Sequence, residues 1–338
     1  MKAIVALGPG STHPQGLLRD TSLAFPPLPG PGDLRVRVEA VAVNPVDLKV
    51  RAGLPPEGPP RVLGWDAAGV VEAVGEEVER FRVGDAVMFA GSPQRPGCQA
   101  ESVLVEACLA GRKPANVSFA EAAALPLTGL TAWEALFDQL GLDERGGDRD
   151  RSLLILGGAG GVGSLAIQLA RRAGLRVIAS ASRPESQAWV KALGAAAVVD
   201  HSQPIGPQLD ALGLATVEAI ANFHDTDLHW PLMAERIRPR GSIVALVSSR
   251  GPLDLNRLKN KSARFCWEYM FTRSEHHTAD MALQGAILDR LAEGVERGTL
   301  ISTARTRLGP ISAASLNEAY DLLRTGHTLG KIVLSGWG

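Results

Sequence analysis

Apolar and polar residues alternate with a period of two along residues 34–41, the pattern of a half-buried strand. Residues 68–75 and 85–90 read as further strands, each punctuated by glycine. Proline-rich connectors at 25–32 and 54–60 separate them, and proline blocks sheet pairing there. This first third predicts an antiparallel, barrel-like domain. The character changes near residue 119. Residues 119–125 and 131–137 read as helical, and the charged, glycine-containing run 143–151 as a solvated loop. Short apolar strands then alternate with helical stretches. The strands are 153–156, 176–179, 197–199, 217–221 and 242–247, and the clearest helices between them are 165–173 and 185–193. Such alternation predicts an α/β doubly wound parallel sheet with crossover helices. Residues 281–297 form another predicted helix and 331–334 a last strand, both returning to the first domain. The predicted domains are 1–125 with 275–338, and 126–274.

The apolar strand at 153–156 runs into Gly158-Ala159-Gly160-Gly161-Val162-Gly163, which opens an amphipathic helix at Ser164. A G-x-G-x-x-G is informative only in that setting, between strand and helix, where it predicts a dinucleotide site. Glycine lets the backbone approach a pyrophosphate, and Gly161, Val162 and Gly163 place helix N-terminal amides beside it. The next strand distinguishes the two nicotinamide cofactors. An acid at its end would accept from a ribose 2′-hydroxyl, but this chain has Ser180, Ala181, Ser182 and Arg183. Hydroxyls and a guanidinium suit a 2′-phosphate, so the expected cofactor is NADPH, with Ser182 and Arg183 as its contacts.

Composition removes several other classes. Lys and Arg total 35 against 36 Asp and Glu, a net charge of −1 that gives no field to recruit nucleic acid or an anionic membrane. Aromatics are 5%, too few for a base-stacking platform. Cys98, Cys108 and Cys266 are too scattered for a disulfide framework or a closed zinc site. Residues 152–170 carry no charge and have the length of a membrane span, but five central glycines make a strand, turn and helix the better reading. The opening seven residues lack the apolar length of a signal peptide, so the expected location is the cytoplasm.

Several segments in order carry a family likeness: Asn44 to Gly53, Gly64-Trp65-Asp66, Gly84-Asp85, Ala122 to Thr128, Thr131 to Leu136, the glycine motif, and Gly330 to Val333. With these the chain resembles the medium-chain dehydrogenase/reductase superfamily over nearly its whole length. It is most similar to the zinc-free quinone oxidoreductase and enone reductase branch, which includes zinc-type alcohol dehydrogenase-like proteins. The resemblance implies a GroES-like N-terminal domain completed by the C-terminus, a Rossmann domain and a homodimer. It adds Thr128, His201, Ser248 and Lys331 as cofactor contacts, with packing or turn roles equally open for Thr128 and Ser248.

Zinc-dependent relatives place a cysteine ligand where this chain has Asn44 and a histidine ligand where it has Trp65, so no metal is expected. The histidines form no recognised ligand spacing and read mostly as surface or packing residues. Without a metal, conjugate reduction of quinones or α,β-unsaturated carbonyls is the easier chemistry, because charge spreads into an enolate or aromatic hydroxyl. Lys49 stands where many members have tyrosine and is the expected group to polarise the substrate oxygen or orient the nicotinamide. Asn44 and Asp47 would fix the local geometry. The alternative leaves Lys49 solvated and pairs Asp47 with Arg51 at helical spacing. Competing readings are a zinc alcohol dehydrogenase and a non-catalytic NADPH-binding protein. The aromatic run 264–273 reads as a last sheet strand, with subunit pairing and plain core both open.

Overall fold

Every residue of the strand Ser152–Leu156 is buried, which is why its sequence is continuously apolar rather than alternating. Helices must cover both faces of such a strand, as in a parallel sheet. The computed structural model describes residues 1–10 and 17–338 and divides them into two compact units. One comprises Met1–Leu130 with Phe271–Gly338, the other Thr131–Met270.

The second unit holds a six-stranded sheet in the order Ala197–Val199, Arg176–Ser180, Ser152–Leu156, Val217–Asn222, Ile237–Ala245, Arg264–Trp267. All neighbours are parallel. By chain position this is the order 3-2-1-4-5-6 of a Rossmann sheet. Helix Gly161–Arg172 follows the first strand, and Pro184–Leu193 follows the second. The connecting turn is possible only for glycine at two points. Gly157 has a φ of +81°. A Cβ on Gly163 would lie 2.3 Å from the Gly157 carbonyl oxygen. The fifth strand starts earlier than the pattern predicts, at Ile237 rather than 242. Pro239 and Gly241 read as a break, and the ladder is in fact irregular there: Ile237 pairs with Val217 before regular pairing resumes at Ser242 and Ala219. A π-helical stretch, Glu134–Gln139, interrupts the predicted helix after Trp133.

In the first unit the strand Asp33–Ala42 pairs antiparallel with Ala67–Val74 and with Ser102–Glu106. The C-terminal strand Lys331–Ser335 adds to its other end, with Val333 opposite Ala42. This register brings Lys331 beside residues 43 and 44, which link that strand to the short helix Pro45–Ala52 that Asn44 caps. No helix among the described residues is long and apolar enough to cross a membrane.

Candidate functional site

The second unit gathers its polar groups at the carboxyl ends of its parallel strands, where ligands of such sheets sit. Gly160 caps helix Gly161–Arg172 in an extended conformation. The first-turn amides of Gly161, Val162 and Gly163 have no intrahelical acceptor, so the helix start presents unpaired donors. Gly158 packs against the following strand: its N–H donates to the Ser180 carbonyl at 3.1 Å, while the Ser180 hydroxyl accepts from Gly157 at 3.0 Å. Ser182 and Arg183 follow that strand, both half-buried. Arg183 caps helix Pro184–Leu193, its backbone N–H donating to the Ser186 hydroxyl at 3.1 Å. The Ala181 N–H donates to the Val199 carbonyl at 2.9 Å, which draws the next strand end, and with it His201, alongside. Ser248 lies exposed beyond the strand Ile237–Ala245.

Two histidines that the sequence reads as surface or packing residues meet at this edge. His224 follows the strand Val217–Asn222, and His229 lies one turn into helix Thr226–Arg236. The fold brings His224 Nδ1 to 3.1 Å from His229 Nε2 and stacks the His201 and His224 rings with centroids 5.9 Å apart. A separation of five residues spanning a strand end and a helix start gives no periodic signal, so the cluster was invisible in the sequence.

The first unit contributes a buried polar cluster. Asp66 is 0% exposed. Its Oδ1 accepts from the Leu127 N–H at 2.8 Å, and its Oδ2 accepts from Asn44 Nδ2 and Lys331 Nζ, each at 2.9 Å. Lys331 also donates to the Val43 carbonyl at 2.8 Å and to Asn44 Oδ1. An ammonium has three N–H groups, and all three are engaged inside this unit, so Lys331, expected as a cofactor contact, is placed here as a holder of Asn44 and Asp66. Burial pushes the Asp66 carboxyl up, against the opposing pull of the Lys331 ammonium and its hydrogen bonds.

Asp47 accepts from the Asn44 N–H at 2.9 Å through Oδ2, while its buried Oδ1 has no partner. Burial raises this carboxyl to about 7, opposed by the Asn44 N–H and Lys331 and reinforced by Asp66. It forms no ion pair with Arg51, which lies over the Tyr320 ring at 5.4 Å. Lys49 is exposed on the same helix. Thr128 is buried in helix Pro126–Trp133, donating its hydroxyl to the Ala124 carbonyl at 3.1 Å. The Leu127 N–H held by Asp66 lies one residue before it. Gly64-Trp65-Asp66 marked a family segment in the sequence, but only the fold shows Asp66 to be the acceptor that ties the cluster together.

The Trp65 indole N–H donates to the Ser92 carbonyl at 3.1 Å, and the Cys98 thiol donates to the Asp66 carbonyl at 3.5 Å. Burial holds that thiol protonated, pushing it far above its ordinary value. Among the described residues no group of three His, Cys, Asp or Glu is arranged to hold a metal ion.

Two family models match this chain: an alcohol dehydrogenase GroES-like domain over residues 30–133, and a zinc-binding dehydrogenase over 161–282. A zinc-type alcohol dehydrogenase-like protein of Staphylococcus epidermidis is 40% identical over 91% of this chain and 92% of its own length. A 2-methylene-furan-3-one reductase of Solanum lycopersicum is 31% identical over 88% of this chain and 70% of its own. Among solved structures, a Rhizobium etli CFN 42 protein of the zinc-dependent alcohol dehydrogenase type superposes with a TM-score of 0.94 at 44% identity, covering 100% of this chain and 98% of that one. A quinone oxidoreductase of Pseudomonas syringae pv. tomato DC3000 superposes with a TM-score of 0.83 at 29% identity, covering 99% of each.

Proposed function

Because the chain belongs to the medium-chain dehydrogenase/reductase superfamily, in its quinone oxidoreductase and enone reductase branch, we propose that this oxidoreductase uses NADPH to reduce quinones or α,β-unsaturated carbonyls without zinc. The carrying observation is the Asn44–Asp66–Lys331 network. Where zinc relatives place thiolate and imidazole ligands, this chain has an amide and an indole N–H, neither a zinc ligand of the usual kind. The nearby cation is the Lys331 ammonium, already bound to Asp66. The only sulfur in the cluster is a buried neutral thiol. These residues do not fit zinc.

The groups at the second unit's strand ends do fit a phosphorylated dinucleotide. The glycine turn and the amides of Gly161, Val162 and Gly163 receive the pyrophosphate, and Ser182, Arg183 and His201 receive the 2′-phosphate, with no acidic residue at positions 180–183 to repel it. Thr128 is proposed as a nicotinamide contact and Ser248 as a cofactor contact, as the family resemblance implies. NADPH, when bound, supplies the hydride. Lys49 presents its ammonium to the oxygen on which negative charge develops. Asn44, Asp47, Asp66 and Lys331 hold the start of the helix that carries Lys49, so they are positioning residues. The name of the tomato relative describes reduction of a ketone conjugated to a methylene group, the substrate class this arrangement suits. The edge strand Arg264–Trp267, with Trp267 46% exposed, supports assembly as a homodimer.

The test is Lys49→Met with a cyclic enone and NADPH. Losing a donor at the developing oxyanion lowers kcat/KM by about 10²-fold while leaving the Kd for NADPH unchanged. An unchanged kcat/KM removes Lys49 from the mechanism.

A further inference from the structure

We infer that His201, His224 and His229 form a proton-accepting chain of imidazoles that takes up a proton from solvent when a phosphate monoester dianion seats beside Arg183. The inference rests on the NADPH reading and adds to it a coupling between phosphate recognition and pH.

Three features of the geometry carry it. First, the rings are continuous: His201 stacks on His224 at an interplanar angle of 29°, and His224 meets His229 nitrogen to nitrogen at 3.1 Å. Second, His201 Nδ1 is buried without a hydrogen-bond partner, an unusual state for a polar atom in a folded chain. Third, the chain of rings adjoins the proposed phosphate site. A Cβ on Gly157 would come within 3.4 Å of His224 Cβ, and the Arg183 guanidinium electrostatically disfavours protonation of His201.

The charged neighbours set the direction of the coupling. His201 faces Asp200 on its own loop, Arg183 from the adjacent strand end, and His224. His229 faces His224, His201 and the helix-capping Asp225, which pairs with Arg250 at 2.9 Å. Burial and the neighbouring rings lower His201 below its ordinary value and bring His229 to about 4, so both are neutral at pH 7 without ligand. Asp200 is already committed to Ser202, accepting from its N–H at 2.8 Å and its hydroxyl at 2.7 Å. A dianion beside Arg183 supplies the missing counter-charge, and one ring can then hold a proton. His224 is exposed and provides the route to solvent. The rings are too close for two of them to be charged together, so uptake stops at one proton.

Calorimetric titration of NADPH and of NADH into the intact protein at pH 7.5, each in two buffers of different ionisation enthalpy, reads the coupling without any variant. The result expected is net proton uptake with NADPH and none with NADH. It is accompanied by a Kd for NADPH that weakens about tenfold from pH 6.5 to 8.5 while that for NADH stays level. The 2′-phosphate has its second pKa near 6 and gives up its residual proton on meeting cations, so its own titration has the opposite sign. His201→Gln abolishes the uptake and flattens the NADPH profile. Preferential NADPH binding without uptake overturns this inference alone. NADPH binding no tighter than NADH at every pH overturns the cofactor reading and this inference with it.

Discussion

At the residue scale, Asp66 and Asp47 illustrate two outcomes of burying a carboxylate. Asp66 is matched by an ammonium, an amide and a backbone N–H, so its charge is compensated where water cannot reach. Replacing it by alanine strands the Lys331 ammonium and the Leu127 N–H. We predict that Asp66→Ala lowers unfolding stability by about 3–5 kcal/mol, measured by urea denaturation at pH 7. Asp47 is compensated on one oxygen only. Its carboxyl ionises near 7 in the fold against the usual 3.8, so the folded state holds a proton that the unfolded chain has lost. Its contribution to stability is therefore greatest below pH 4 and declines as pH rises toward 7. Asp47→Asn cannot titrate and removes that decline. The check is urea midpoints of both proteins at pH 5 and pH 8: the gap between the two pH values shrinks in the variant.

At the element scale, the segments legible in the sequence were those whose pattern is local. The strand at 152–156, the glycine turn and the helix behind it follow from contiguous apolar residues and from glycines that no other residue can replace at Gly157 and Gly163. The strand Asp33–Ala42 was legible because one face is buried and the other is not. What stayed hidden depends on partners distant in the chain. Asp66 acquires its role from Lys331, 265 positions away, and the histidine chain joins the ends of two strands and a helix. The π-helical stretch was hidden for a related reason. Glu134 opens it, and its carboxyl faces that of Glu268, which follows the last strand of the sheet. Both carboxyls are buried, and two acceptors can face each other only if one carries a proton. Burial and Glu134 push Glu268 well above the usual carboxylate range. The folded state again holds the extra proton, so stability falls as pH rises above about 4.5 toward the folded-state value. Glu268→Gln keeps a donor for Glu134 without a proton to lose. It is expected to be more stable than the parent at pH 9 and to show a flatter profile from pH 6 to 9 by thermal denaturation.

At the scale of the whole molecule, the chain builds most of its first unit, then the second, and returns to finish the first. The return positions chemistry as well as structure, because the strand Lys331–Ser335 delivers the ammonium that Asn44 and Asp66 share. The last strand thus supplies a fixed cation to a cluster laid down 265 to 287 residues earlier. The Lys331 ammonium occupies the acceptors of Asn44 and Asp66, and this links the fold to the proposed metal-free chemistry. The most direct measurement is NADPH oxidation by the purified protein after exhaustive chelation, against alkenals, cyclic enones, quinones and simple alcohols or ketones. The account predicts turnover of the conjugated substrates that chelation leaves unchanged and that is slower with NADH. Turnover confined to simple alcohols or ketones, lost on chelation and restored by added zinc, would contradict it.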